Sequence, residues 1–244
     1  MIKATATINE KTYKIPMSYK EITLGKFKAI QDFLYSDHNK ERTEQIVNSK
    51  VEDEEDMLNF MIEFINYVTD IPLKELKLVR RFSKDDELGI EDLFYAMTFL
   101  FAVPIIENPT PAETLGDYHF IDKIDLTQAI LKDLNFIEYT EANSVIRAFN
   151  NLEKGKYEYL NMLMGIMYRP MVKENFWGKP KIEEYDSENV KERAKEFDSL
   201  DMHTVWNCLF FFTQLKTKSL QSISKSLEEE VVKVHQDYQD KIGI

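Results

Sequence analysis

Four histidines are the first residues to test for chemistry. His38, His119, His203 and His235 lie far apart, and none has a second His or Cys at the spacing a metal site needs. Two carboxylate pairs, Asp85-Asp86 and Glu183-Glu184, have the composition of an acid–base couple. Both sit in charged surroundings, whereas acid–base work needs pKa values shifted by burial, so they read as solvated surface. Cys208 is the single cysteine and falls in the apolar run Trp206-Asn207-Cys208-Leu209-Phe210-Phe211-Phe212. It reads as a small buried hydrophobe, and one cysteine excludes an intramolecular disulfide framework. The chain has no glycine-rich phosphate loop. Side-chain chemistry therefore points to no catalytic residue, no metal and no cofactor.

Composition narrows the class further. Of 244 residues, 43% are hydrophobic and 30% charged, which is ordinary globular usage, and only 7 Gly and 7 Pro favour helices over a many-stranded sandwich. Net charge is −12. Proteins that bind phosphate backbones gain affinity from Lys and Arg that displace counterions, so no nucleic-acid partner is expected. The opening Met1-Ile2-Lys3-Ala4-Thr5 has no charged-then-apolar leader pattern, and no stretch approaches the ~20 apolar residues that span a bilayer. The expectation is a chain kept in a reducing interior or packaged there, with no membrane contact.

The elements follow from hydrophobic periodicity. Ile2, Ala4, Ala6 and Ile8 alternate with polar residues, Asn9-Glu10 marks a turn, and Thr12-Tyr13-Lys14-Ile15 alternates again, which predicts an N-terminal β-hairpin. Pro16 ends it, and Ser18 or Thr23 can cap a helix carrying Leu24, Phe27, Ile30, Phe33 and Leu34. A short helical piece around Ile46-Val47 follows, and the acidic run Glu52 to Asp56 suits a helix start. Met57, Phe60, Met61, Phe64, Ile65 and Val68 give the clearest helix, stopping before Ile71-Pro72. Leu73, Leu76 and Val79 predict a short helix ended by Ser83, and Ile90 to Val103 reads as one buried helix. Pro104, Pro109 and Pro111 force an extended linker. Tyr118 to Ile124 is strand-like, Thr127 can cap a helix through Leu134, and Thr140-Glu141 starts another through Phe149.

The densest apolar stretch runs from Tyr157 to Phe212. It opens with a helix through Tyr168, breaks at Arg169-Pro170, crosses a loop containing Phe176-Trp177, and restarts at Ser187. The C-terminal segment carries Leu220, Ile223, Leu227, Val231, Val234 and Tyr238 at spacings of three and four, the pattern of an amphipathic helix or a short coiled-coil seam. The fold class expected is mainly α, a multi-helix domain with an N-terminal β-hairpin and one further short strand pair. Three parts are marked out, 1–103, 104–214 and 215–244, forming one compact domain.

With no chemistry in view, the candidate functional residues are surfaces. A lone hairpin is marginal in water, so Ile2, Ala4, Tyr13 and Ile15 must rest on the helical body, on another strand or on a neighbouring subunit. Phe176 and Trp177 sit in a loop, where Trp is enriched at interface hot spots. The stripe Leu220, Ile223, Leu227, Val231, Val234 and Tyr238 needs a cover, from its own body or from another chain.

A resemblance points the same way. Ile15-Pro16-Met17-Ser18-Tyr19-Lys20-Glu21-Ile22-Thr23-Leu24-Gly25-Lys26-Phe27 is similar to the I-P-x-S-W-x-E-[IV]-T-[LV]-x-x-[FY] opening of small proteins from tailed-bacteriophage structural gene clusters. Thr69-Asp70-Ile71-Pro72-Leu73 resembles their T-G-I-P step, and Phe120 to Leu134 their strand and Thr-capped helix. The series Met167-Tyr168-Arg169-Pro170, Glu184-Tyr185-Asp186, Arg193, Phe197 and Phe211-Phe212 also recurs there. This chain departs at Tyr19, where Trp is usual, and at Asp70, where Gly is usual. Such proteins include tail-assembly and neck proteins, among them those of crAss-like phages. The resemblance implies a non-enzymatic virion protein, a neck, ring or tail subunit, whose partners are other copies of itself and other phage structural proteins. The alternative it implies is a tail-assembly chaperone absent from the finished virion.

Overall fold

The computed structural model describes residues 5–48, 50, 52–83, 88–120, 140–145, 156–173, 180–214 and 217. Within them the protein is mainly α-helical, with an N-terminal two-stranded antiparallel sheet and a second antiparallel sheet further on.

The hairpin pairs β1 (Thr5–Ile8) with β2 (Lys11–Lys14), Thr5 opposite Lys14 and Ile8 opposite Lys11. Asn9 and Glu10 turn the chain with φ of 49° and 65°, both in the left-handed region. Two-residue hairpin loops adopt this mirror-image turn because its twist matches that of the strands. Strand alternation buries Ala6 and Ile8 and leaves Thr5 and Thr7 outside.

A 3-10 turn, Tyr19–Glu21, leads into α1 (Leu24–Leu34), where Thr23 Oγ1 accepts from the Lys26 N–H at 3.2 Å. After α2 (Lys40–Val47), Asp53 caps α3 (Glu54–Thr69) by accepting from the Glu55 and Asp56 N–H groups. The acidic first turn of α3 lies where the peptide dipoles place partial positive charge. Its end is Asp70 in the left-handed conformation, φ 60°, a position that favours glycine. The helix expected from Leu73 to Ser83 is shorter: α4 covers only Leu73–Leu76. The single helix expected from Ile90 to Val103 is also divided. α5 is Ile90–Ala96, and a 3-10 turn, Thr98–Phe101, follows the break at Met97. Buried Gln31 donates its amide to the Leu100 carbonyl at 3.1 Å, an acceptor that Pro104, four residues on and without an N–H, could not have bonded in a continued helix.

The second sheet extends the one further strand pair that was expected to four strands. Its order is β3 (Thr114–Leu115), β4 (Tyr118–Phe120), β5 (Tyr168–Lys173), β6 (Pro180–Ile182), all antiparallel. The helix does end just before Arg169-Pro170, as expected, but these residues are strand and not the start of a loop. Pro170 sits where β5 changes partner: residues 168–170 pair with β4 and 171–173 with β6. Helical residues 140–145 (α6) precede α7 (Leu160–Met167), and Asp186 caps α8 (Ser187–Ala194). Gly165 lets α7 and α8 approach closely, since a Cβ there would stand 2.9 Å from the Val190 carbonyl oxygen. The last described helix, α9, covers 202–214. The expected helix through Leu134 lies outside the described residues.

The parts 1–103 and 104–214 share one core. The starts of α1 and α9 are stitched together by a bridge between Thr23 and Asp201, by Leu24 N–H to the Leu200 carbonyl at 2.7 Å, and by Met202 N–H to the Ile22 carbonyl at 2.8 Å. Fully buried Trp206 of α9 meets Tyr19 and Phe27 edge to face. Of the third part, 215–244, only Thr217 is described, and it is exposed.

Candidate interaction surface

The buried residues of the opening Ile15 to Phe27 work inside the body. Ile15, Ile22, Leu24 and Phe27 are core. Glu21 turns back to accept from the Met17 N–H at 2.7 Å, which holds its carboxyl below the usual range. The Tyr19 hydroxyl donates to the Phe99 carbonyl at 2.6 Å and is close to the Ala102 carbonyl; burial pushes its pKa far up. The motif is thus a joint between hairpin, α1 and α9.

The later series behaves alike. The Tyr168 hydroxyl donates to the Ala112 carbonyl at 2.9 Å, and buried Arg169 donates to the Glu183 carbonyl at 3.0 Å. Arg193, also buried, donates to the Glu183 carboxylate and reaches the Gly165 carbonyl at 3.5 Å. Phe197 packs against Tyr118 and Tyr168.

The chemistry-bearing residues stay apart. Glu183 is consumed by Arg193 and by Asn189. Cys208 is fully buried, and burial raises its thiol pKa, which disfavours the nucleophilic thiolate. His38 stands beside Arg42 at 3.2 Å, and His203 is exposed on α9. Asp85, Asp86 and His235 lie outside the described residues. Among the described residues no three His, Cys, Asp or Glu side chains gather as a metal would require, and no helix is long and apolar enough to cross a membrane.

The sequence-derived interface candidates divide in two. Ile15 is fully buried in the subunit core, so it offers nothing to a neighbour. Tyr13 packs on the core, and its hydroxyl donates to Glu75 Oε2 at 2.5 Å. Lys11 joins the same carboxylate at 2.9 Å, and Tyr13 above all holds Glu75 below the usual carboxylate range. The hairpin rests on its own body through this triad. Ile2, Ala4, Phe176, Trp177, Leu220, Ile223, Leu227, Val231, Val234 and Tyr238 lie outside the described residues.

What the sequence reading missed is a groove of about 210 Å³ between α3 and α5. Met57, Leu58, Met61 and Tyr95 give it an apolar floor and wall, and Glu54, Arg81 and Glu91 form its rim. Arg81 donates to Glu54 and Glu91, both at 2.8 Å, and lies 4.9 Å from the Phe82 ring centroid. Backbone bonds from Ile90 N–H to the Arg80 carbonyl and from Glu91 N–H to the Arg81 carbonyl fix this rim against α5. Tyr95 is 60% exposed and Phe82 59%, and Leu78, at 74%, precedes them in the chain. A signal did exist: Leu58 and Met61 fall on the flank of the α3 stripe, and Tyr95 falls opposite the buried face of α5.

Comparison of the chain with protein-family models, curated proteins and solved structures finds no match.

Proposed function

We propose that this protein is a non-enzymatic virion subunit of a tailed phage, a neck, ring or tail component that works through protein–protein contacts. The observation that carries the reading is the placement of its large apolar side chains: among the described residues Leu78, Phe82, Tyr95 and Ile105 stand largely exposed. Phe82 and Tyr95 both neighbour Arg81, and exposed apolar surface that adjoins in this way marks contact sites. The reading is further supported by the hairpin, a two-stranded sheet anchored through Glu75, to which a neighbour's strand can add. The phage-like residues recur along the chain in structural roles, as a resemblance in fold would require. Copies then join head to tail in a closed ring, with the stripe from Leu220 to Tyr238 docked on the adjacent subunit.

The runner-up is an assembly chaperone that holds a tail component and leaves before completion. The net charge of −12 favours it, since it suits a basic client. Two measurements separate these. Light scattering after gel filtration across a concentration series gives a discrete multimer for a ring subunit, and Leu227→Asp with Val231→Asp gives a folded monomer. A multimer that survives the double substitution removes the stripe from the interface. Mass spectrometry of purified virions finds a subunit and does not find a chaperone.

A further inference from the structure

We propose that the groove between α3 and α5 is a docking site for an amphipathic helix of another protein, one whose apolar stripe is flanked by Lys or Arg. The proposal does not depend on the particle role above. Three observations define the occupant. The floor is Met57, Leu58 and Met61, and methionine side chains adapt to differently shaped apolar groups. Tyr95 stands at the wall with most of its ring exposed, the kind of rigid aromatic that anchors interfaces. The rim sets two carboxylates, Glu54 and Glu91, against one guanidinium, Arg81. The exposed Glu52, Asp53 and Glu55 at the start of α3 add to the same sign.

A helix presents apolar side chains at spacings of three and four to such a groove, and its flanking charges meet the rim. Cations complement this rim. The overall charge of −12 favours a cationic partner over a second copy at this acidic edge.

The test uses the full chain and two synthetic helical peptides of roughly 18 residues. One carries leucines at helical spacing among lysines; its twin carries glutamates instead. Fluorescence anisotropy measures binding at about 0.05 M and about 0.5 M salt, and methionine-methyl NMR locates it. The expected result is that the lysine peptide binds, moves the Met57 and Met61 methyls and leaves buried Met202 still. Tyr95→Ala, at an exposed position, weakens binding roughly tenfold. Glu54→Lys with Glu55→Lys weakens it roughly fivefold or more and flattens the salt dependence. Glu113→Lys with Asp117→Lys, on the loop and turn flanking β3, changes it less than about twofold. Thermal melting confirms that each variant is folded. The proposal is overturned if the glutamate peptide binds as well, if the remote reversal weakens binding equally, or if Tyr95→Ala has no effect. It is also overturned if the lysine peptide binds only after Leu227→Asp and Val231→Asp, because the groove then belongs to the chain's own C-terminal stripe.

Discussion

Around α1, α3 and α5 the buried surface is made of rings. Phe33, Phe60, Phe64, Phe94 and Phe101 meet one another at centroid distances of 5.2 to 6.4 Å. Around α7, α8 and β5 the interior is crossed instead by two buried arginines, Arg169 and Arg193, both directed at Glu183. The first region is held by area removed from water, which tolerates many arrangements of similar volume. The second adds to its buried apolar side chains, among them Leu160, Leu163, Met164 and Val190, charged hydrogen bonds that succeed only with every partner present. The aromatic half should therefore lose stability in proportion to the volume removed, and the ionic half according to which partner is left alone.

Phe64→Ala sets the largest effect. It empties a fully buried ring site among Phe33, Phe60, Phe94 and Phe101, and a loss of about 3–5 kcal/mol is expected in urea unfolding. A loss under about 1.5 kcal/mol would show that the aromatic half does not carry the core. Arg193→Ala comes next, at about 3 kcal/mol, because Glu183 keeps its charge near the interior without its guanidinium. The double variant Arg193→Leu, Glu183→Leu should recover part of that loss. If the double variant is no more stable than the single one, the guanidinium was packing and not pairing, and the contrast between the halves disappears.

Glu75 tests the hairpin's anchor by pH. Tyr13 and then Lys11 hold its carboxyl below the ordinary value, so the stabilisation is complete above the usual carboxylate range and is lost as pH falls through the folded value. The difference in melting temperature between the native chain and Glu75→Gln should thus be greatest near neutrality and shrink in acid. A difference that does not vary with pH would show that the hairpin is held by Ala6 and Ile8 alone.

The smallest effect is at Asp70. The left-handed backbone costs a non-glycine residue about 1–2 kcal/mol, against roughly 0.5–1 kcal/mol for the added freedom of glycine, so Asp70→Gly should gain no more than about 1.5 kcal/mol. The gain is reduced by loss of the exposed ion pair to Lys26 at 3.2 Å. A clear destabilisation would mean that this pair, and not the backbone, fixes the end of α3.

The first region was legible in advance and the second was not, for one physical reason. Met57, Phe60, Phe64, Ile65 and Val68 declare a helix because one face of α3 is buried throughout, so the period of 3.6 appears in the sequence. Asn9-Glu10 declares its turn by sitting between two alternating strands. In β5, by contrast, Tyr168-Arg169-Pro170-Met171 shows no alternation and contains a proline, which local rules read as a break. Only the pairing of β5 with β4 on one half and β6 on the other makes it a strand. Ile15 and Tyr13 looked available because the sequence does not say what a hairpin rests on.

The amino-acid sequence by itself determined the helical class, the hairpin and its turn, the helix start in the acidic run Glu52 to Asp56, and the acidic balance, because these depend on neighbours within a few residues or on composition. The tertiary structure alone decided that two arginines share one glutamate, that Tyr19 closes the joint between α1 and α9, and that Met61, Tyr95 and Arg81 meet in a groove. Those residues are separated by tens of positions in the chain, and contact at that separation is set by how whole elements pack.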